Sequence, residues 1–456
     1  MKNITARELA LLVGKAVEEE GAYANLALNK VLEQYQPGKL DRAFATELVY
    51  GVLRNLNTID WVLAHFLKQP LASQTVWIRN ILRMGTYQIM FMPRIPDSAA
   101  CNESVNLAKK YGHEGAARFV NGVLRNVARQ QHSLDYPDPK EDPVDYVALK
   151  YSHPTWLVER WLKEYGFDQT VALCQANNRP APNTVRTNTL KITRENLIAR
   201  LQEEGVEAVE TKYVPEGLNL SGFLSYRSLK TFQEGLFQVQ DESSMLVAHV
   251  LNPASGSRVL DAASAPGGKT THLAQLMGDT GQILAFDLYA HKLNLIMDNC
   301  KRLGIHSVQI EVADARDIHK KYQGWADYVL VDAPCSGLGV LRRRPDARWR
   351  KDPSQLPGIV RLQKEILQSA SKCLRPGGVL VYSTCTITRE ENIGVVEDFL
   401  KEHPEFIMGD LRQFLPPGLD REATAENGYL QLLPHIHGMD GFFIARLRKK
   451  DLNRNA

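Results

Sequence analysis

The stretch that most constrains this chain is Val259-Leu-Asp-Ala-Ala-Ser-Ala-Pro-Gly-Gly-Lys269, continued by Thr270-Thr-His-Leu-Ala. An apolar run ends in Asp261, a small-residue turn follows, and Leu273, Leu276 and Met277 then fall on one face of a helix. A strand that turns through glycines into a helix suits a polar or anionic cofactor. Backbone without a Cβ admits close approach, and the first N–H groups of the helix point at the ligand.

Two familiar forms of such a turn are excluded by spacing. A P-loop requires glycine five positions before Gly268, and Ala263 stands there. The dinucleotide fingerprint requires separated glycines, whereas Gly267 and Gly268 are adjacent. An S-adenosylmethionine turn and a purely structural turn remain, and the sequence that follows favours the former. Ile283–Asp287, Val308–Val312 before Asp314, Tyr328–Asp332 and Val379–Tyr382 are further apolar runs separated by helix-length segments. That alternation predicts a parallel, doubly wound α/β sheet whose ligands lie beyond the carboxyl ends of the strands. Asp261, Asp287, Asp314 and Asp332 all fall there, and Asp287 stands at the separation from Gly267 that suits a ribose contact.

The chain has 456 residues, too many for one ordinary core. No apolar run approaches a membrane span and the first residues lack a secretory apolar region, so a cytoplasmic protein is expected. The net charge of +3 does not by itself point to nucleic acid. Residues 1–130 read as helical and locally basic, with 16 Lys and Arg against 11 Asp and Glu. Residues 131–145 carry three prolines and five acids and read as a linker. A small α/β pattern follows, with Val185–Leu190 as a strand, Thr193 capping a helix, and Arg186 readable either as a phosphate contact or as an ordinary polar loop residue. Boundaries are expected at 1–138, 139–231 and 232–456.

Six cysteines, none in a C-x-x-C pair, argue against a zinc ribbon and for free thiols, and no metal is expected. Cys300 and Cys373 fall on apolar helical faces and read as core. Cys335, in Asp332-Ala-Pro-Cys, and Cys385, in Ser383-Thr-Cys, instead end strands on the cofactor side. Two thiols and an acid beside a methyl donor match the problem of methylating C5 of cytosine. A thiolate adding at C6 makes C5 nucleophilic, an acid holds N3, and a base removes the C5 proton. The attacking thiol should need activation, with arginines as candidates. Leu341–Lys351 holds six basic residues of eleven around Trp349, which reads as an RNA-contacting loop more readily than as a merely solvated one.

Asp261–Thr270, Asp332–Cys335, Arg343–Trp349, Ser383–Cys385 and Glu391-Asn392 resemble the RNA cytosine-5 methyltransferase (Nop2/Sun) family over residues 235–447. Glu47–Arg54, Ile95-Pro96, Asn102-Glu103 and Val120–Arg125 resemble the NusB family of RNA-binding helical domains. The resemblance implies an all-α NusB-like domain and a small α/β module before a Rossmann-like methyltransferase domain. It implies Cys385 as nucleophile, Cys335 as the residue that releases product, and Asp332 at N3. S-adenosylmethionine would be held by Ala263, Ser264, Ala265, Pro266, Gly267, Gly268, Lys269 and Asp332, with Asp287 at its ribose and Asp314 near its adenine. Arg342, Arg343, Arg344, Arg348 and Trp349 would contact RNA. The family's usual Cys-Ala-Ala before Pro-Gly-Gly-Lys is Ala263-Ser264-Ala265 here, a change among small residues. The two resemblances together imply 16S ribosomal RNA of the small subunit as partner, and a monomer is expected. An amino-group methyltransferase would want an aromatic after Asp-x-Pro, where Cys335 stands; a swap of the two thiol roles, a tRNA substrate and a non-catalytic assembly factor stay open on the residues alone.

Overall fold

The computed structural model describes residues 4–451. Residues 1–3, the start of the segment expected to lack a secretory apolar region, and 452–456 lie outside the described residues. The chain forms two compact units, residues 1–180 with 341–351, and residues 181–340 with 352–456.

The first unit is helical. Its helices are Ala6–Glu19, Ala24–Tyr35, Lys39–Arg54, Leu56–Phe66, Val76–Phe91, Asp97–Tyr111, Glu114–Gln130, Pro143–Lys150 and Thr155–Asn178. The apolar stripes of the first seven, including Leu11, Leu48, Ile59, Ile81 and Leu124, share one core. Gly51 permits the closest helix contact, since a Cβ there would stand 2.1 Å from the Tyr87 ring. Tyr87 Oη donates to Glu47 at 2.5 Å across the same contact. The stretch expected to be an open linker is partly built in. Tyr136 stacks on Trp61 with ring centroids 4.7 Å apart, and Asp142 caps the helix that starts at Pro143.

Residues 341–351 follow Cys335 in sequence yet belong to this helical unit. Arg348, expected on RNA, is fully buried. Its guanidinium donates to Ser152 O at 2.9 Å, Asn178 Oδ1 at 2.8 Å, Asn177 O at 3.2 Å and Arg54 O at 3.3 Å. Burial lowers its pKa to about 9. Trp349 Nε1 donates to Leu53 O at 2.7 Å, so its indole is a packing element of the bundle. Asp346 accepts from Ala24 N, and Arg350 donates to Gly21 O at 2.7 Å. Arg342 is also buried, Arg343 is half-buried, and Arg344 is exposed. Full burial on internal acceptors takes the Arg348 guanidinium away from RNA. Helix-end carbonyls need donors, and a planar five-donor cation satisfies several at once. A cavity of about 280 Å³ beside the segment, lined by Val17, Leu48, Val52, Met84 and Trp349 among others, includes neither reactive cysteine.

The second unit holds two sheets. A small antiparallel sheet has order β2-β3-β1-β4, from β1 (Asn183–Thr187), β2 (Glu207–Glu210), β3 (Gly217–Ser221) and β4 (Phe237–Val239). The larger sheet contains β5 (Arg258–Asp261), β6 (Gln282–Asp287), β7 (Val308–Val312), β8 (Ala326–Asp332), β9 (Leu374–Thr384), β10 (Phe406–Met408), β11 (Tyr429–Leu432) and β12 (Phe442–Lys449). Its order is β10-β12-β9-β8-β5-β6-β7, with β11 paired to β12. The strands β9, β8, β5, β6 and β7 are parallel. Alternate residues face two cores: Val259, Ile283, Leu330 and Val381 on one side, Leu260, Leu284, Val331 and Leu380 on the other. Strand order reverses at β5, so the glycine turn leaves the sheet at its switch point.

Arg186 of β1 is buried, which overturns the phosphate reading. It donates to Gly268 O at 2.7 Å, Thr271 Oγ1 at 3.1 Å and Gln275 Oε1 at 3.2 Å, bracing the helix behind the turn. Glu216 lies between His249 and His272, with ring nitrogens at 2.8 and 2.7 Å. Burial, and then the charge of Arg186, hold the His272 pKa down at about 3. The buried arginine balances the buried carboxylate while the fully buried imidazole stays neutral.

Arg348→Ala strands several carbonyl acceptors and should lower the unfolding free energy of the full chain by about 2–4 kcal/mol in denaturant titrations. Arg348→Lys, lacking the planar fork, should recover less than half of that loss. An alanine variant within about 0.5 kcal/mol of wild type contradicts the bracing role.

Candidate active site

The turn is held open by backbone and hydroxyl bonds. Ser264 donates both its N–H and its Oγ–H to Phe286 O at 2.8 Å, fixing the turn to β6. Gly267 N donates to Ser264 O at 2.7 Å. Gly267 has φ +94°, and a Cβ there would meet Ile296 at 3.1 Å, so both conformation and space require glycine. The helix Gly268–Leu276 then begins with no acid in its first turn, leaving its first N–H groups for an incoming acceptor. Ser264 and Gly267 are buried. Ala263, Ala265, Gly268 and Lys269 are half-buried, and Pro266 is exposed.

Asp261 closes the floor of the turn. It is buried and accepts from Thr270 Oγ1 at 2.7 Å. Burial raises its pKa to about 7 against the pull of that bond, and the charge of Asp332 adds to the rise. Asp287 ends β6 half-buried, with Oδ1 accepting from Tyr289 N at 3.0 Å. Asp314 lies two residues past β7, and Arg316 donates to its carboxylate from Nε and, at 2.6 Å, from Nη2. That cation holds Asp314 below the usual carboxylate range.

The β8–β9 pairing brings the two thiols together. Asp332 is the register partner of Ser383, so the chains beyond these residues leave the sheet side by side. Ser383 Oγ donates to Asp332 Oδ1 at 2.8 Å, and Ala333 N donates to Ser383 O at 2.8 Å. Cys335 Sγ and Cys385 Sγ stand 3.3 Å apart, and both residues are half-buried. Lys269 Nζ donates to Asp332 Oδ2 at 2.8 Å, which joins the glycine turn to the thiol site. The same ammonium sits 5.0 Å from the centre of the Phe442 ring. Gly339 N donates to Cys385 O at 3.0 Å, tying the chain after one cysteine to the other. The other four cysteines, Cys101, Cys174, Cys300 and Cys373, are buried and free.

Hydrogen bonding to Cys385, then burial, then the Cys385 charge push the Cys335 thiol well above its ordinary range. Two sulfurs in contact cannot both ionise cheaply, so a charge on one disfavours a charge on the other.

The turn, Asp332 and both thiols are legible in the sequence. The Lys269–Asp332 bridge is not, nor is the burial of Glu391, whose carboxylate accepts from the Ser336, Thr386 and Thr388 hydroxyls. A lysine ending the turn and an acid ending β8 were visible, but their pairing needed the strand order. For Glu391, the hydroxyls of Ser336, Thr386 and Thr388 were the available signal.

A parallel sheet with a glycine turn at its switch point, opening beside an acid and two thiols, defines a Rossmann-like methyltransferase. The model of the 16S rRNA methyltransferase RsmB/F family matches residues 248–448. The NusB family model matches residues 4–129, and that of the RsmF/B-like ferredoxin-like domain matches 153–227. The chain is 39% identical to the probable ribosomal RNA small subunit methyltransferase B of Bacillus subtilis, covering 99% of this chain and 100% of that one. It is 33% identical to the ribosomal RNA small subunit methyltransferase B of Klebsiella pneumoniae, over 98% and 99% of the two chains. Among solved structures, PH0851 matches with a TM-score of 0.82 at 30% identity, over 98% of this chain and 99% of that one. NSun6 from Pyrococcus horikoshii with SFG, an S-adenosylmethionine analogue, matches with a TM-score of 0.59 at 28% identity, over 65% and 98%. The chain belongs to the ribosomal RNA small subunit methyltransferase B family, whose methyl donor is S-adenosylmethionine.

Asp261 supplies a pH test. Folded, it keeps its proton to about pH 7, whereas the unfolded residue loses it near 3.8. Between those values the folded state binds more protons, so this residue's contribution to stability falls as pH rises. Asp261→Asn should gain on wild type, without cofactor, by about 4 kcal/mol from acid to above pH 7. A difference independent of pH contradicts the assignment.

Proposed function

We propose that this protein methylates C5 of a cytosine in 16S ribosomal RNA, with Cys385 as nucleophile. The observation that carries the reading is the 3.3 Å approach of the two sulfurs beside Asp332. The residues present fit the methyl donor: a glycine turn with no room for a side chain, free helix-start N–H groups, and a lysine at the rim. S-adenosylmethionine supplies an electrophilic methyl group when bound. Ala263–Lys269 would hold its methionine part, Asp287 its ribose, and Asp314, together with Arg316, would border its adenine.

Cys385 adds through sulfur to C6 of the cytosine, and the electron pair passes to C5 and N3. Asp332, oriented by Lys269 and Ser383, would share a proton with N3 as charge arrives there, and N3 would return that proton when the C6–S bond breaks. Once C5 carries the methyl group, Cys335 takes the C5 proton and the C6–S bond breaks, returning the electron pair to Cys385. The coupling of the thiols suits this order. The charge on Cys385 favours a proton on Cys335; when that sulfur bonds carbon, the charge is gone and Cys335 can release its proton and serve as base.

The base must leave its stack to reach both sulfurs. The basic helical unit would dock the RNA, with Arg344 as the exposed cation of the 341–351 run placed on phosphate. The protein would act in the cytoplasm as a monomer and without a metal. Among the described residues no helix is long and apolar enough to cross a membrane.

With 16S RNA and labelled cofactor, Cys385→Ala should lose turnover by at least about 10³-fold and form no covalent RNA adduct. Cys335→Ala should accumulate a denaturation-resistant adduct. The reverse pattern would make Cys335 the nucleophile, and unchanged turnover in both variants would remove the mechanism. Mapping 5-methylcytosine in 16S RNA with and without the protein tests the substrate.

A further inference from the structure

Behind the two sulfurs lies a buried carboxylate whose bonds reach the chain next to each of them. Glu391 is fully buried. Its Oε1 accepts from Ser336 N at 2.7 Å, and its Oε2 accepts from Ser336 Oγ at 2.5 Å, so it grips the residue after Cys335 by both backbone and side chain. Oε2 also accepts from Thr388 Oγ1 at 2.5 Å and Thr386 Oγ1 at 3.3 Å, and Thr386 is the residue after Cys385. The two hydroxyls meet directly, with Ser336 Oγ 2.8 Å from Thr386 Oγ1. Gln363 Nε2 donates to Glu391 Oε1 at 3.3 Å and to Pro334 O at 2.9 Å, holding the residue before Cys335.

The next residue completes the frame. Thr384 Oγ1 donates to Asn392 Oδ1 at 2.5 Å, and Asn392 Nδ2 donates to Thr386 O at 3.0 Å. Asn392 thus bonds to the residue on each side of Cys385 and is oriented in turn by Gln431 Oε1 at 2.7 Å. Tyr382 Oη donates to Glu391 O at 2.7 Å, which fixes the pair to β9.

We propose that Glu391 and Asn392 are positioning residues that set the separation of Cys335 and Cys385, Glu391 by joining the two thiol-bearing segments and Asn392 by fixing the one that carries Cys385. The proposal deepens the functional reading above and rests on it for its consequence in catalysis. Burying a carboxylate is costly, and five donors offset that cost. Those donors come from three separate stretches, residues 336, 363 and 386–388, so one side chain fixes them against each other. Sulfur reactions need both thiols on the same base within a few tenths of an ångström, and a misplacement of ~1 Å costs ~10²-fold in rate.

The test separates position from charge and geometry from RNA chemistry. Glu391→Ala removes the acceptor. Glu391→Gln keeps an oxygen for Ser336 N and offers an amide to hydroxyls that can rotate to accept. The first readout needs no RNA. Diamide, a diazene oxidant, closes a Cys335–Cys385 disulfide; the two thiol protons and two electrons pass to its N=N bond, giving the hydrazine. Closure is followed by mass spectrometry of the full-length protein. Closure should slow by at least about tenfold in Glu391→Ala and stay within about threefold of wild type in Glu391→Gln. The second readout is methyl transfer. Here kcat should fall ~10²-fold in Glu391→Ala with KM for RNA changed less than about threefold, and Glu391→Gln should restore most of the rate.

Wild-type closure rates in Glu391→Ala overturn the proposal, as does a glutamine variant as defective as alanine. If Glu391→Ala does not fold, Ser336→Ala decides, since it deletes the hydroxyl shared by Glu391 and Thr386. Slower disulfide closure supports the proposal, and unchanged closure rejects it. Failure of the functional reading alone would leave the closure results standing while wild-type protein transferred no methyl to RNA.

Discussion

The parallel pairing of β8 with β9 is the constraint on which the site depends. Setting Asp332 opposite Ser383 makes Cys335 and Cys385 leave the sheet at neighbouring strand ends. A slip of one residue would turn every side chain on β9 to the opposite face. The two cores forbid that slip, because Val381 and Leu380 each belong to a different side of the sheet. The pleat thus fixes the chemistry, and hydrogen bonds at the strand ends bring the sulfurs into contact. Lys269 extends the frame to the glycine turn through Asp332, so turn, acid and thiols are joined by direct bonds.

Two buried arginines show a second theme. Arg186 and Arg348 look in sequence like ligands for phosphate, and each is spent on the protein's own acceptors. Arg186 braces the helix that follows the glycine turn. Arg348 draws residues 341–351 into the helical unit, although that segment lies between β8 and β9 in sequence. A guanidinium offers five donors in one plane, which suits phosphate oxygens and clustered carbonyls equally well. Composition therefore cannot separate the two uses; burial does.

Much of the catalytic half was legible because its signals are local. Apolar runs ending in acids marked β5, β6 and β8, and a proline-glycine-glycine turn marked the cofactor side. Cys335 and Cys385 stood out from Cys300 and Cys373 by following strands rather than lying on helical faces. Less was legible where partners are distant in sequence. Glu391 collects donors from residues 336 to 388, and no periodicity announces that. The helices Pro143–Lys150 and Thr155–Asn178 belong to the helical unit and β1–β4 to the other, a division that rests on contacts between distant residues. The antiparallel tail, β10 to β12, was also missed, although β12 pairs with β9 along residues 443–448 and so supports the strand that carries Cys385.

The central claim is that one sulfur of a contacting pair attacks the base while the other completes the reaction. It is tested most directly by trapping wild-type protein on 16S RNA containing 5-azacytidine and identifying, by peptide mass spectrometry, the cysteine that carries the nucleotide. The account predicts the modified nucleotide on Cys385, with Cys335 a free thiol in the same molecules. A nucleotide on Cys335, or an RNA adduct on neither cysteine, would contradict it.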